Sequence, residues 1–454
     1  MSESDEYDDY SSDIDYETED ENSDFKKRKT VPLAFTKSYA PDWTEKDAFR
    51  EFYQNWRDGI IESFNLRPDL VRPVFARNDH HEIHITASLV AESTAGTSTP
   101  RLFGYIIFKS QPGSLEITNF EAKLERRHLH LGETNKRDDP RSAGGHGEGF
   151  KVGALVLRRS GYSVKFETNS LYWNFGFARD RALLCCALTK PQQSVLIKQA
   201  EKCRKQKGTP NQTRGLVARI REDMTVKIGK STDDKHGVRP KKRGISEETF
   251  RAWLTVSLDL DPPNAAQVIH TPAGDLIGDP RYRGRVYLKG LLVSEYGDHK
   301  SGGKNYRFGY NFNSGKVNRD RQSVVDLNEE ARMLANIWES AIAMKGVAII
   351  DSYVNLFNQD GEVPDIAMAL DHVSRLTAVN ICKYLKMFHP EAFFYSDRQE
   401  SEQNPTTDED IISQELKKKP FKLAKKLWQI IRKYEDQQGR QLMLTPLQER
   451  KRLF

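Results

Sequence analysis

Glu51-Phe-Tyr-Gln-Asn55-Trp-Arg-Asp58 is the stretch from which the rest of this chain is read. If residues 44–64 form a helix, a step of about 100° per residue brings Glu51, Asn55 and Asp58 within about a 60° arc. Phe49, Phe52, Tyr53, Trp56, Ile60 and Phe64 then gather on the opposite side as a broad core-facing stripe. Thr44 stands three residues before Asp47, the spacing of a capping box, so the start of the helix is marked as well. The ordinary fate of such a polar arc is solvation. Asn, however, is a poor helix former, and its place in mid-helix points to a task.

A second stretch, Gly144-Gly-His-Gly147-Glu-Gly149-Phe-Lys151, suits a phosphate. Glycines let backbone N–H groups approach an anion closely, and Gly149 leads into an expected helix, Phe150–Arg159, whose N-terminus favours negative charge. The Asn55 oxygen suits Mg²⁺. Glu51, one turn earlier, is placed to orient a water or accept its proton. Lys151, and Lys136 in Thr134-Asn-Lys136, would add positive charge. The plainer alternative is a strand-to-helix turn with surface lysines.

Together the two stretches resemble the GHKL ATPases, the superfamily of gyrase, the heat-shock chaperone, histidine kinases and MutL. Glu51, Asn55 and Asp58 fit the family's Glu-x-x-x-Asn-x-x-Asp, and Gly144, Gly147 and Gly149 fit its Gly-x-x-Gly-x-Gly. The resemblance implies ATP and Mg²⁺ as ligands, Glu51 as the catalytic residue, Asn55 as the metal ligand, and a mobile lid over 125–143. It covers residues 40–190 closely and 250–345 loosely. The family's Asp-x-Gly-x-Gly, whose Asp meets the adenine amino group, corresponds here to Asn119-Phe-Glu121-Ala-Lys123. Asn119 can still accept a hydrogen bond, but Glu121 and Lys123 replace both glycines, so the turn is expected to differ. Thr213 is the match for a later pocket threonine. Tyr287-Leu-Lys289-Gly290 and Asn318-Arg-Asp-Arg321 resemble the transducer unit, which lends a basic residue to the γ-phosphate; Lys289, Lys316, Arg319 and Arg321 are the candidates.

The chain has 454 residues, 30% charged and 37% hydrophobic, which suits a soluble protein of several domains. Its longest apolar run, Ala182–Leu188, is too short to cross a bilayer, and no signal peptide is visible. Cys185, Cys186, Cys203 and Cys382 form no Cys-x-x-Cys pair, so a reduced, intracellular setting is expected. The histidines at 80, 81, 84, 128 and 130 have no accompanying Cys set, so zinc is not indicated. The net charge of +5 hides an asymmetry: residues 1–24 hold twelve Asp or Glu and no Lys or Arg. The remainder carries 70 basic residues against 53 acidic ones, a surface suited to a polyanion.

The expected fold is α+β: a two-layer α/β sandwich of the Bergerat ATP-binding type, a second α+β transducer-like unit and a helical C-terminal region. Residues 1–30 read as a disordered acidic tail ending in the nuclear-import-like Lys26-Lys-Arg-Lys29. Residues 31–249 read as the ATP-binding domain, with a basic insertion about 192–245 that includes Pro240-Lys-Lys-Arg243. Residues 250–345 read as the transducer-like domain, with Phe250–Leu258, Arg285–Val293 and Tyr306–Phe312 as strands or strand-containing segments and Asn328–Phe357 as a long helical pattern. After these come a helical region 346–395, a linker 396–410 and a basic amphipathic helical tail 411–454. The function expected is a slow Mg-dependent ATPase that uses nucleotide as a conformational switch. The rivals are a non-hydrolysing scaffold of the same fold and a non-specific nucleic-acid-binding protein. A nuclear location, no membrane, and nucleic acid, protein clients or a second copy of the chain as partners complete the expectation.

Overall fold

The computed structural model describes residues 29–89, 101–130, 148–178, 183–205, 215–230, 243–297, 303–317, 326–397, 407–436 and 438–453. The chain divides into two compact units, Met1–Asp261 and Pro262–Phe454.

The first unit is built on a nine-stranded sheet in the order β1-β8-β7-β6-β9-β5-β4-β3-β2, with every neighbouring pair antiparallel. The strands are β1 (Lys29–Thr36), β2 (Val71–Asn78), β3 (Glu82–Leu89), β4 (Leu102–Lys109), β5 (Ser114–Asn119), β6 (Val164–Thr168), β7 (Leu171–Phe177), β8 (Leu183–Thr189) and β9 (Met224–Gly229). Between them run α1 (Glu45–Ser63), α2 (Gly149–Arg159) and α3 (Gln193–Lys205), with α4 (Glu247–Leu254) following β9.

Side-chain alternation along the strands sorts the two faces of the sheet. Phe166 of β6 meets Phe52 of α1 and Phe150 of α2, and Phe108 of β4 stacks on Phe250 of α4 at 4.6 Å. α1, α2 and α4 therefore cover the same face. The other face carries a buried charge network, in which Glu167 of β6 lies 2.8 Å from Lys165 and 2.9 Å from Lys227 of β9.

Thr44 caps α1 as its spacing predicts: the Asp47 amide donates to its Oγ1 at 3.3 Å, and its own amide donates to Asp47 Oδ2 at 2.8 Å. Phe49, Phe52, Tyr53, Trp56 and Ile60 are at most 2% exposed, so the aromatic stripe is the anchor. The Trp56 indole donates to the Thr118 carbonyl on β5 at 2.8 Å, fixing the rotation of the helix on the sheet.

The second unit has a five-stranded sheet in the order β10-β11-β14-β12-β13, formed by β10 (Val268–Thr271), β11 (Gly274–Ile277), β12 (Arg285–Leu288), β13 (Leu291–Glu295) and β14 (Gly309–Phe312). Only β12 and β14 run parallel. α5 (Leu327–Lys345), α6 (Val347–Phe357), α7 (Ala369–His372) and α8 (Arg375–Phe388) come next. β15 (Ala392–Tyr395) then pairs in parallel with β16 (Lys419–Lys422); α9 (Asp408–Asp410) lies between them, and α10 (Lys425–Arg432) and α11 (Pro446–Leu453) follow. One core joins these parts, running from Tyr310 and Phe312 through Trp338 and Tyr353 to Leu427 and Ile431.

Several expectations need correction. The unit boundary falls after Asp261 rather than at 249/250, because Phe250 and Trp253 pack on Phe49 of α1. Residues 250–258 are not a strand: Ser246 caps α4, accepting the Thr249 amide at 3.0 Å. The pattern over Asn328–Phe357 is broken by Gly346, whose φ of 59° suits a residue without Cβ. Arg285–Val293, by contrast, does contain strands as expected: it is a hairpin, turned by Lys289 and Gly290 at φ 52° and 80°. The tail starts in a π-helical turn, Ile411–Glu415, but β16 interrupts it before α10, and the described residues of α5, α6, α8, β15 and α10 share the core of the second sheet instead of forming separate pieces.

Candidate functional site

The polar arc of α1 is not a solvated face. Glu51 is 1% exposed and Asp58 6%, while Asn55 is half-buried. What covers Glu51 is the start of α2. An added Cβ on Gly149 would lie 2.2 Å from Glu51 Oε2, so only glycine lets this helix start sit against the carboxylate. Two motifs far apart in sequence thus meet at one point. Behind this contact the helices close on each other at Gly153, where a Cβ would be 3.2 Å from Phe52 Cζ.

Three further features surround the contact. Glu148, the residue before α2, gives no side-chain cap to the first turn, and its carbonyl accepts the Lys151 and Val152 amides, leaving those of Gly149 and Phe150 at the helix start outside the intrahelical ladder. Asn55 makes no side-chain hydrogen bond to a described residue, which leaves its amide available as an oxygen ligand. Arg50, itself buried, holds its Nε 3.8 Å from Glu51 Oε1.

Lys151 is fully buried, and its ammonium donates to the carbonyl of His130. That bond ties the first turn of α2 to the chain just before 131–147, so Lys151 braces the turn. Lys136, Gly144, Gly147 and Thr213 lie outside the described residues, as do Arg319 and Arg321. Lys289 and Lys316 are exposed residues of the second unit.

Asn119 closes the other end of the arc. Its Nδ2 donates to the Trp56 carbonyl at 2.5 Å, and Gly59 permits the approach, since a Cβ there would be 3.1 Å from Nδ2. Only an amide can donate to that carbonyl, so Oδ1 remains as the acceptor of the pair. An aspartate here would set two acceptors against each other, so an amide suits the site. The register places Met224 of β9, not a threonine, directly opposite Asn119.

The turn after Asn119 holds Glu121 at φ 55°, the left-handed conformation glycine favours, so a residue with a side chain strains it. Asp223, fully buried, accepts the Glu121 amide at 3.1 Å and the Arg219 amide at 2.6 Å and so clamps the turn. Nothing in the spacing of the sequence marks Asp223 for this role. Replacing Glu121 by Gly is expected to raise the stability of the first unit by about 0.5–1 kcal/mol. The exposed Arg101–Glu121 pair lost with it is worth less than this. A urea midpoint that stays put or falls would show that the turn is not strained.

The other motif histidines have structural uses. His128 Nδ1 accepts the Glu125 amide at 3.0 Å, His84 pairs with Glu82 at 3.0 Å, and His80 pairs with Glu247 at 3.2 Å. No group of three or more His, Cys, Asp or Glu suited to a metal occurs among the described residues. The four cysteines are unpaired, and no helix among the described residues is long and apolar enough to cross a membrane. Arg243 of the basic cluster is held by Glu45 at 2.6 Å and lies 4.9 Å over the Tyr162 ring. No known family model matches the chain, and no curated protein matches it.

Proposed function

We propose that the first unit is a Bergerat-type ATP-binding domain of the GHKL kind, and that the chain is a slow ATPase using nucleotide as a conformational switch. The observation that carries this reading is the contact between Glu51 and Gly149, which joins a buried carboxylate to a helix start that accommodates no side chain. Backbone amides at that start would bind triphosphate oxygens. Asn55 would hold Mg²⁺ through its side-chain oxygen; when bound, the ion would neutralise charge on the phosphates. Glu51 would orient a water and take its proton as the water oxygen bonds to the γ-phosphorus and the bond to the bridging oxygen breaks, releasing ADP and phosphate. Asn119 Oδ1 would accept from the adenine amino group. Arg50 beside Glu51 limits how far the carboxylate can swing, which favours positioning of the water over rapid turnover.

A second reading, a non-hydrolysing scaffold, draws support from Asn119, whose donor is spent on the helix. Single-turnover assays on the wild type and Glu51→Ala separate the two. The enzyme reading expects slow hydrolysis that falls about a hundredfold or more in the variant, with ATP affinity retained. Hydrolysis absent from both proteins would leave the scaffold.

A further inference from the structure

The C-terminal end of the second unit carries a charge arrangement the nucleotide site does not use. From Leu416 to Tyr434 there are eight Lys or Arg and no Asp or Glu. Lys417, Lys418, Lys419, Lys425 and Lys426 are exposed, and among the described residues none pairs with a carboxylate. Lys422 is taken by Asp397 at 2.8 Å, and the nearby Glu415 is taken by Arg450 at 2.8 Å. Among the described residues, Glu391 and Glu409 are further exposed carboxylates at this end; neither has an ion pair with these lysines, and Glu409 accepts the Tyr395 hydroxyl. The backbone bearing them is fixed: the Lys418 amide donates to Ile412, the Lys419 amide to Glu391 and the Leu423 amide to Tyr395. Lys425 and Lys426 also occupy the first turn of α10, where the helix dipole disfavours positive charge, so they are not there to stabilise the helix.

Exposed apolar side chains lie at the neighbouring end of α8, where the Phe388 ring packs on Tyr384 at 4.8 Å and leaves its outer face open. The end of α8 meets β16, since the His389 ring lies 4.4 Å from that of Phe421. The residues just before His389, Met387 and Phe388, are 65% and 52% exposed. By contrast, the apolar side of α10, with Leu427, Trp428, Ile430 and Ile431, is buried in the core and is not available for insertion into lipid.

We propose that Lys417–Lys419, Lys425 and Lys426 bind the phosphate backbone of single-stranded nucleic acid, with Phe388 stacking on a base. Unpaired lysines gain by releasing condensed counterions, and an exposed ring offers a stacking platform indifferent to sequence. The proposal is independent of ATP and assigns nucleic-acid contact to this surface rather than to the basic insertion about 192–245.

The test uses the full chain without nucleotide, a labelled thymidine oligomer and fluorescence anisotropy across a salt series. Binding is expected at low salt, with the triple variant Lys417→Glu, Lys418→Glu, Lys419→Glu weakening it about tenfold or more and flattening the salt dependence. Phe388→Ala should weaken the single strand but leave duplex DNA unchanged. Circular dichroism of each variant checks its fold, and Lys425→Gln with Lys426→Gln provides a milder second variant. Any of three results would overturn the proposal: no oligomer binding at low salt; binding unaffected by both lysine variants but lost in Lys241→Glu with Lys242→Glu; or binding to anionic phosphatidylserine vesicles without binding to the oligomer.

Discussion

Gly149→Ala is expected to abolish ATP hydrolysis at least as completely as Glu51→Ala, and to weaken Mg·ATP binding as well. The new methyl would lie 2.2 Å from Glu51 Oε2, far inside contact distance. Glu51 is 1% exposed and has Arg50 beside it, so the carboxylate cannot swing freely into solvent. Either the carboxylate moves off its position or the start of α2 moves away from α1. Both disturb the water-positioning group, a loss of about a hundredfold or more. The second also disturbs the amides that would hold phosphate, which is why affinity should fall here and not in Glu51→Ala. The fold should survive, because Gly149 begins its helix and the core contact at Gly153 is untouched. Rapid-quench hydrolysis and nucleotide titration of the variant check both halves; wild-type turnover would refute the contact's role.

Asp365→Ala is expected to cost the second unit about 3–5 kcal/mol. Asp365 is 3% exposed and accepts the Arg307 amide at 2.8 Å, the Phe308 amide at 3.2 Å and the Tyr310 hydroxyl at 2.7 Å. Alanine would leave these donors without that acceptor in a region closed to water, and Tyr310 itself supports the Trp338 indole at 3.0 Å. Burial raises the Asp365 carboxyl above its ordinary value, more than these hydrogen bonds lower it. A raised folded-state value makes its contribution fully present below the unfolded-state value and lost as pH rises through the folded one. The gap between wild type and Asp365→Ala should therefore widen as pH falls toward the ordinary carboxylate range. Denaturant midpoints at several pH values measure this, and a gap that narrows on acidification would contradict the assignment.

The first half of the molecule was largely legible in the sequence, and for physical reasons. A capping box and an aromatic stripe define α1 whatever surrounds it, the continuous apolar run of β4 suits a buried strand, and the alternation of β7 suits a half-buried one. What the sequence hid depended on tertiary contact. Glu51 and Asp58 read as surface residues until α2 and the sheet bury them. Glu121 gives no sign of φ 55° because glutamate does not advertise a left-handed turn; Asp223, a hundred residues on, holds it there. β2 begins Val71-Arg-Pro-Val and β9 follows a charged stretch, so neither shows a strong period, yet pairing with β3, β5 and β6 makes strands of both. The break at Gly346 lies in an apolar helical pattern that continues on either side, and the periodicity alone does not see it.

Calorimetric titration of the full chain with Mg·ATP tests the central claim most directly, because every role given to Glu51, Asn55, Asn119 and Gly149 presupposes that nucleotide binds between them. The account predicts one saturable site per chain, weakened in Gly149→Ala and in Asn55→Ala and retained in Glu51→Ala. No saturable binding at millimolar Mg·ATP, or binding indifferent to both weakening variants, would contradict it.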